Sequence, residues 1–560
     1  PLNQDLMPYD RIFEPIILND RMFFGFNDRD KVVAIDLQSG RQLWQFFTDG
    51  PVRFPPAAAD GKVLFTSDDG YLYCVNAADG RLLWRFRGGP SNQKAIGNHR
   101  VISAWPARGG PVIRDGHVYF AASIWPFMGT FLYALDVETG NLIWVNDSTS
   151  AQYIKQPHGS PSFAGVGPQG ALVATQNVLL VPGGRSVPAA FERTTGKFMH
   201  FTIGGKGTGG SFVCADEKDF YVHTRRRGVR ACDLQSGKKS KHVVNEPVLA
   251  DGGMVSFDGS LLQAKTKTST FSTAVDAAGD VIQAGSRIYV AGKDRITALD
   301  QEGQVMWSQP VRGQVLRLLA GGDKLVAVTK DGRILVYGEK SVLDQPLRES
   351  FELEPSEAES ETSATQLIHR TAATEGYAIW YGADDARLLS SVLQQSKLRM
   401  LVVEPRDQRV KELRQAFDAA GQYGGRITVH KGHPRSFMAP PYIANLVVVG
   451  PSLAEQDQLS QDLKSIYQSV RPYGGALWLS ASSETSQHLV KMIERQELEN
   501  AQTIVYDEGV LVVRVGPLAG AADWTHQYGD IANTVKSNDQ RVKLPLGVLW
   551  FGGSSNLDVL

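Results

Sequence analysis

At 560 residues the chain is too long for one ordinary hydrophobic core, so two or more domains are expected. Its 58 Lys+Arg balance 59 Asp+Glu, leaving a formal charge of -1, and nothing in that balance points to nucleic acid or a charged membrane surface. Cys74, Cys214 and Cys232 lie far apart with no CxxC and no adjacent pair, which removes zinc-ribbon, c-type haem and thioredoxin-like chemistry. No metal ligand set is expected. No apolar run approaches the ~18 residues that span a bilayer.

In chain order, the opening PLNQDLMPYD reads as the interior of a longer polypeptide. From Ile12 to about Tyr337 one phrase then recurs. It is VVAIDLQSGRQLW at Val32 to Trp44, LYCVNAADGRLLW at Leu72 to Trp84 and LYALDVETGNLIW at Leu132 to Trp144. Degraded copies run Ala189 to Met199, Val229 to Lys239 and Ile296 to Trp307. Apolar and polar residues alternate, a Gly-containing turn follows, and alternation resumes up to Trp, which is a β-hairpin pattern. A further strand precedes each phrase, for example Asp60 to Ser67 and Asp115 to Ala122. Such a unit of roughly forty residues predicts an all-β propeller of seven to eight four-stranded blades, each Trp packing between neighbours. The basic run Arg225-Arg226-Arg227 reads as a solvated hairpin tip.

The phrase AxDxxTGxxxW resembles the repeat of pyrroloquinoline-quinone-type (PQQ-like) propellers. That group includes quinoprotein dehydrogenases and the cofactor-free propeller of the outer-membrane assembly machinery. The resemblance implies a periplasmic or cell-envelope location in a bacterium. It does not imply a quinone. The dehydrogenases hold Ca²⁺ with a carboxylate and an amide and stack a disulfide of adjacent cysteines on PQQ, and this chain has no adjacent cysteines.

Trp44 and Trp84 bound a minimal blade, whereas the next interval is lengthened by Ser91 to Gly110 and by IWPFMGT at Ile124 to Thr130. The following unit carries Asn146 to Gly170. Long loops on a rigid scaffold concentrate binding residues. Arg53, Arg100, Trp105, Arg108, Trp125, His158, Gln169 and Arg185 are therefore the candidate ligand-binding residues of the propeller loops. The bland alternative is that they clip adjacent blades together, Arg on carbonyls and Trp as loop core.

Residues 341–363 are acidic, Ser-rich and poor in apolar residues, and read as a linker between a propeller at 1–340 and a second domain at 364–518. There strands such as Tyr377 to Tyr381 and Ala444 to Val449 alternate with helices such as Gln408 to Ala420. The alternation predicts an α/β Rossmann-like domain with a parallel sheet, closed by an antiparallel edge of Thr503 to Asp507 and Val510 to Val515.

This block resembles a class I S-adenosylmethionine (SAM) methyltransferase domain. The resemblance rests on the turn Tyr381-Gly382-Ala383-Asp384-Asp385, the acid Glu404 ending the second strand, and RPYGG at Arg471 to Gly475. It implies a SAM-like crevice formed by Tyr381, Gly382, Ala383, Asp384, Glu404 and Gly432, with Glu404 taking the ribose hydroxyls. The departures are plain. Gly382 stands alone where the family has a GxGxG-like loop, Asp384 and Asp385 would repel a methionine carboxylate, and Gly450-Pro451-Ser452 replaces a catalytic polar motif. No catalytic residue is assigned.

Residues 519–560 include Trp524 to Gly553, which resembles the opening of a PQQ-like propeller. Returning propeller strands, or the start of a further propeller segment, are expected there, with the α/β block as an insertion. The loop phrases WPARGGPV and QPH resemble a group of large bacterial proteins with PQQ-like propellers. Three readings follow. The first is a binding or assembly propeller that presents a polar, aromatic-rich loop face to a protein or glycan partner. A further polypeptide segment would complete the ring, and the methyltransferase-like insert would be degenerate. The others are a SAM-dependent methyltransferase and a PQQ-dependent dehydrogenase.

Overall fold

The computed structural model describes residues 13–551, apart from 157–158, 184–185, 203–207, 225–227, 244–246, 251–252, 258–259, 340–346, 348–350, 352–356, 457 and 545. The chain forms two compact units, one from residues up to 90 and 103–348, the other from 91–102 and 349–552.

Among the described residues the first unit carries eight blade-type sheets in chain order, antiparallel except for the short strand Gly170–Ala171, which pairs in parallel with Gly109–Arg114 of the third. The second is typical: Ala57–Ala59, Lys62–Thr66, Tyr71–Asn76 and Leu82–Arg87, paired in sequence order. The eighth shows three strands, Val315–Gly321, Lys324–Thr329 and Ile334–Tyr337, among the described residues. Successive side chains of a strand face opposite ways, and here the two faces serve different neighbours. Tyr73 and Val75 join a core with Phe23 and Trp44 of the first sheet, while Leu72 and Cys74 join Phe120 and Leu135 of the third. Equivalent cores lie between the later sheets, and the last one joins Val326 of the eighth sheet to Met22, Phe24 and Val33 of the first. The ring thus closes between its first and last sheets, by the same packing that joins every other pair.

The repeat phrase has a specific structural job. Trp44 donates its indole N–H to the Ala77 carbonyl of the next sheet at 3.1 Å, Trp84 to Val137 at 3.2 Å, and Trp144 to Arg193 at 3.2 Å. Each ring lies against the turn glycine of that next phrase. Gly80 has φ 72°, and a Cβ there would sit 2.7 Å from the Trp44 ring. Only glycine meets both the left-handed backbone and the close approach. In the fourth sheet His200 replaces the Trp, its Nε2 3.0 Å from the Leu234 carbonyl, with Gly237 beneath it.

The second unit holds a seven-stranded sheet. Its strands are β1 (Glu375–Tyr381), β2 (Lys397–Glu404), β3 (Ile427–Lys431), β4 (Ala444–Val449), β5 (Gly475–Ser480), β6 (Ala501–Tyr506) and β7 (Gly509–Arg514). Their order is β3-β2-β1-β4-β5-β7-β6, parallel except that β7 runs antiparallel to both β5 and β6. Among the described residues its helices of ten or more residues are α1 (Ala358–Thr371), α2 (Ala386–Gln395), α3 (Asp407–Ala419), α4 (Leu459–Gln468) and α5 (Ser483–Arg495). α1 starts inside the stretch read as a linker; Ser360, Ala364, Leu367 and Thr371 bury one of its faces while Glu359 and Glu361 stay outside.

Two further pieces differ from expectation. Strands Lys94–Gly97 and Arg100–Ser103 form a hairpin, and Val101 packs in the same core as Ile379 and Val447 of the second unit. Among the described residues after 518, the one strand is Trp550–Phe551, which pairs in parallel with Lys94–Gly97. No propeller-type hairpin is present between 519 and 549 among the described residues. No helix among the described residues is long and apolar enough to cross a membrane.

Candidate functional site

In the first unit the loop residues turn largely inward. Arg53 donates from Nε to Asp68 Oδ2 at 2.6 Å, and Arg108 grips the same carboxylate through Nε at 2.9 Å and Nη2 at 2.9 Å. All three side chains are buried. Burial alone would raise the Asp68 pKa, but the two guanidinium groups outweigh it and hold the carboxyl down at about 2. Trp105 is buried and donates its indole N–H to the Met128 carbonyl at 2.8 Å, so it pins the IWPFMGT insert. Trp125 precedes the short turn Pro126–Met128, its ring 6.0 Å from Phe127. Gln169 is half-buried, and its backbone bridges to Gly183. Arg100 lies in the hairpin that packs with the second unit. His158 and Arg185, like Arg225-Arg226-Arg227, lie outside the described residues. Arg53 and Arg108 are brought together, and the group that unites them is an aspartate.

The exposed chemistry of these loops lies elsewhere. Gln152–Lys155 and Pro161–Ala164 form a two-stranded hairpin with Tyr153 directly opposite Phe163, ring centroids 5.1 Å apart. The two rings are 64% and 75% exposed, and Phe127 on the neighbouring turn is 67% exposed. The base is fixed: the Thr130 hydroxyl donates to the Val166 carbonyl at 2.6 Å, and Gly165 packs against Pro126. Alternation in AQYIK and SPSFA could have shown the strands, but not that both aromatics share an outward face.

In the second unit Gly382 (φ 74°) turns the chain after β1, and a Cβ there would lie 3.0 Å from Leu453. Asp385 caps α2, accepting from the Arg387 N–H at 2.9 Å. At the carboxyl ends of β1, β4 and β5 lies a cavity of about 250 Å³, walled by α1 and by residues that include Gln366, Arg370, Trp380, Asp384, Trp478 and Glu508. The strand order reverses between β1 and β4, the place where doubly wound sheets bind ligands. Arg370 pairs with Glu508 and lies over the Tyr506 ring at 4.4 Å.

Glu404 is fully buried and does not face that cavity. Its Oε2 accepts from the Ala383 N–H at 3.0 Å and Arg406 Nη2 at 3.0 Å; its Oε1 accepts from the Arg406 N–H at 2.9 Å and Nε at 2.6 Å. Arg406 Nη2 also reaches Asp384 Oδ1 at 2.9 Å, and Arg409 holds the Ala383 and Asp384 carbonyls at 2.9 Å each. Burial pushes Glu404 and Asp384 upward, yet hydrogen bonds from Arg406 to both, with Ser452 on Asp384, leave both below their ordinary values. Tyr381 is buried, and the Gly432 N–H donates to the Glu404 carbonyl at 3.1 Å. The sequence singled out Glu404 but not Arg406, whose side chain curls back two residues onto it.

Burial raises the Cys74 thiol to about 12 and the Cys232 thiol to about 11, and no disulfide joins any of the three cysteines. No group of three or more His, Cys, Asp or Glu side chains able to hold a metal ion occurs among the described residues.

A family model, that of the outer membrane protein assembly factor BamB, matches residues 11–243 and 252–342. The chain belongs to that family. Similar curated proteins include BamB of Nitrosomonas eutropha, 27% identical over 30% of this chain and 36% of its own, and BamB of Moranella endobia, 28% identical over 20% and 39%. The quinone alcohol dehydrogenase subunit of Gluconobacter oxydans is 30% identical over 23% of this chain and 18% of its own. The chain therefore spans well under half the length of the curated relatives it matches. Among solved structures, BamB of Moraxella catarrhalis is similar over 57% of this chain and 81% of its own, at 16% identity and TM-score 0.33. A protein of Methanococcus maripaludis, titled as a SAM-dependent methyltransferase, is similar over 28% of this chain and 84% of its own, at 15% identity and TM-score 0.25.

Proposed function

We propose that the chain is a protein-binding propeller of the bacterial cell envelope, acting in the assembly of outer membrane proteins as its family relatives' name describes. The observation that carries the reading is the Tyr153–Phe163 pair, two exposed rings held opposite one another on a hairpin with a fixed base. Solvent-exposed aromatics cost free energy unless something covers them, and aromatic anchors on a rigid support are what protein interfaces use. Two of the polar loop residues, Arg53 and Arg108, are engaged with the buried Asp68, which supports a protein partner over a small ligand at those two positions. The test is photo-crosslinking in cells from position 163, with the outward-facing Leu142 of the third sheet as control. Discrete polypeptide adducts are expected from 163 and not from 142. Equal yields from both positions, or none from 163, would sink the assignment.

We also read the second unit as a methyltransferase-fold domain retained within this binding protein. Its support is the switch point between β1 and β4, the turn at Gly382 and the acid Glu404 at the end of β2.

A further inference from the structure

The methyltransferase-fold reading carries an expectation about Glu404, and the residues present do not meet it. A carboxylate offers about four lone-pair positions. In Glu404 four donors already occupy them: the Ala383 N–H, the Arg406 N–H, and Nε and Nη2 of the Arg406 guanidinium. Three of the four come from one residue, and they lie 2.6–3.0 Å from the oxygens. The carboxylate has no solvent-exposed surface. A ribose diol would have to displace a bidentate guanidinium from a buried carboxylate, exchanging charge-assisted bonds for neutral ones. It would also have to break the Arg406–Asp384 contact and strip Arg406 of both anionic partners.

The open volume lies apart from Glu404. The cavity at the strand ends is bounded by α1, β1, β4 and β5, and neither Glu404 nor Gly432 lines it. On its β1 side it meets Asp384 and Asp385, a pair of carboxylates where a cofactor's own carboxylate would have to sit. The loop between β1 and α2 is tied down by Arg409 on the carbonyls of Ala383 and Asp384 and by the Ser452 N–H on the Asp384 carboxylate at 3.1 Å.

We infer that Arg406 stands in this protein where a cofactor ribose would stand, locking Glu404 and Asp384 together, and that the second unit does not bind SAM. This inference rests on the methyltransferase-fold reading. Arg406 is half exposed, whereas Glu404 is fully buried, so the lock is asymmetric. Removing the arginine strands a buried charge; removing the charge of the glutamate leaves an arginine that reaches water.

The experiment uses the whole chain. Isothermal titration with SAM and with S-adenosylhomocysteine at millimolar concentration is expected to give no binding heat and no shift of either unfolding transition. Saturable binding of either compound would overturn the inference while upholding the fold reading. In parallel, Arg406→Ala is expected to lower the folding equilibrium constant of the second unit roughly a hundredfold. Adding Glu404→Gln to that variant is expected to restore most of the loss, because the stranded charge is gone. If Glu404→Gln fails to relieve Arg406→Ala, the lock is not what the geometry indicates. The Arg406→Lys variant, which keeps charge but not the fork, is expected to fall between the two.

Discussion

Asp68 and Asp69 are adjacent in the chain and both are buried, yet their environments pull them in opposite directions. Asp68 is clasped by Arg53 and Arg108, which hold it at about 2 against the pull of burial. Asp69 has no cationic partner in hydrogen-bonding contact. It accepts from the Tyr73 hydroxyl at 2.6 Å, the Tyr71 N–H at 2.9 Å and the Asp49 N–H at 3.0 Å, and burial with the nearby Asp49 charge raises it to about 6. The sign of the linkage follows. Between about pH 4 and 6 the folded state keeps a proton that the unfolded chain has released, so this group costs stability as pH rises through that window. The shift corresponds to about 3 kcal/mol. Urea unfolding of wild type and Asp69→Asn should therefore give stability curves that diverge between about pH 4 and 6, with the variant gaining on wild type. Parallel curves would show that Asp69 is not ionised at a cost. The two arginines were legible as candidates because they sit in long loops. Their convergence was not, since Asp68 is 40 positions from Arg108 and only the ring brings them together.

At the scale of elements the repeat phrase accounts for most of the first unit. Period-2 alternation, the turn glycine and the closing tryptophan each correspond to an observed contact, so the blades and the role of Trp44, Trp84 and Trp144 could be read from residue order. The fourth blade hides the same contact behind a different residue. His200 stacks on Phe220 at 6.0 Å between centroids and faces the Leu234 carbonyl as the tryptophans face theirs. Burial lowers its pKa, so its neutral form contributes stability that is present above the ordinary histidine value of about 6.5 and lost as pH falls through the folded one. His200→Trp keeps the N–H donor and removes the titration. Its stability relative to wild type should rise on going from about pH 7 to pH 5, because only wild type still carries the His200 titration. An unchanged pH response in the variant would rule the contact out as the cause. Helix α1 was missed for the converse reason. Its buried face is carried by Ser360, Ala364 and Thr371 beside a single Leu367, and small or polar residues at helical spacing look like a linker.

At the scale of the molecule, domain boundaries read along the chain misassign one short piece. Residues 91–102 sit inside a blade's sequence but belong to the second unit, where Val101 and Ile96 pack with its core and Trp550 pairs with Ile96. No composition shift marks that change of allegiance, because strand pairing across hundreds of positions leaves no local signature. Replacing residues 92–101 with a short Gly-Ser linker should cost the second unit about 3 kcal/mol or more through the lost burial. Calorimetry should show its transition moving down while that of the propeller holds. A second-unit transition that does not move would mean the hairpin is an ornament rather than a part of that core.

The same hairpin also sets a clock. Ile96 leaves the ribosome long before Trp550, and at synthesis rates of roughly 5–20 residues per second the interval is on the order of a minute at the slow end. Throughout it, a nascent propeller carries an unpaired strand edge and apolar side chains whose permanent cover has not yet been made.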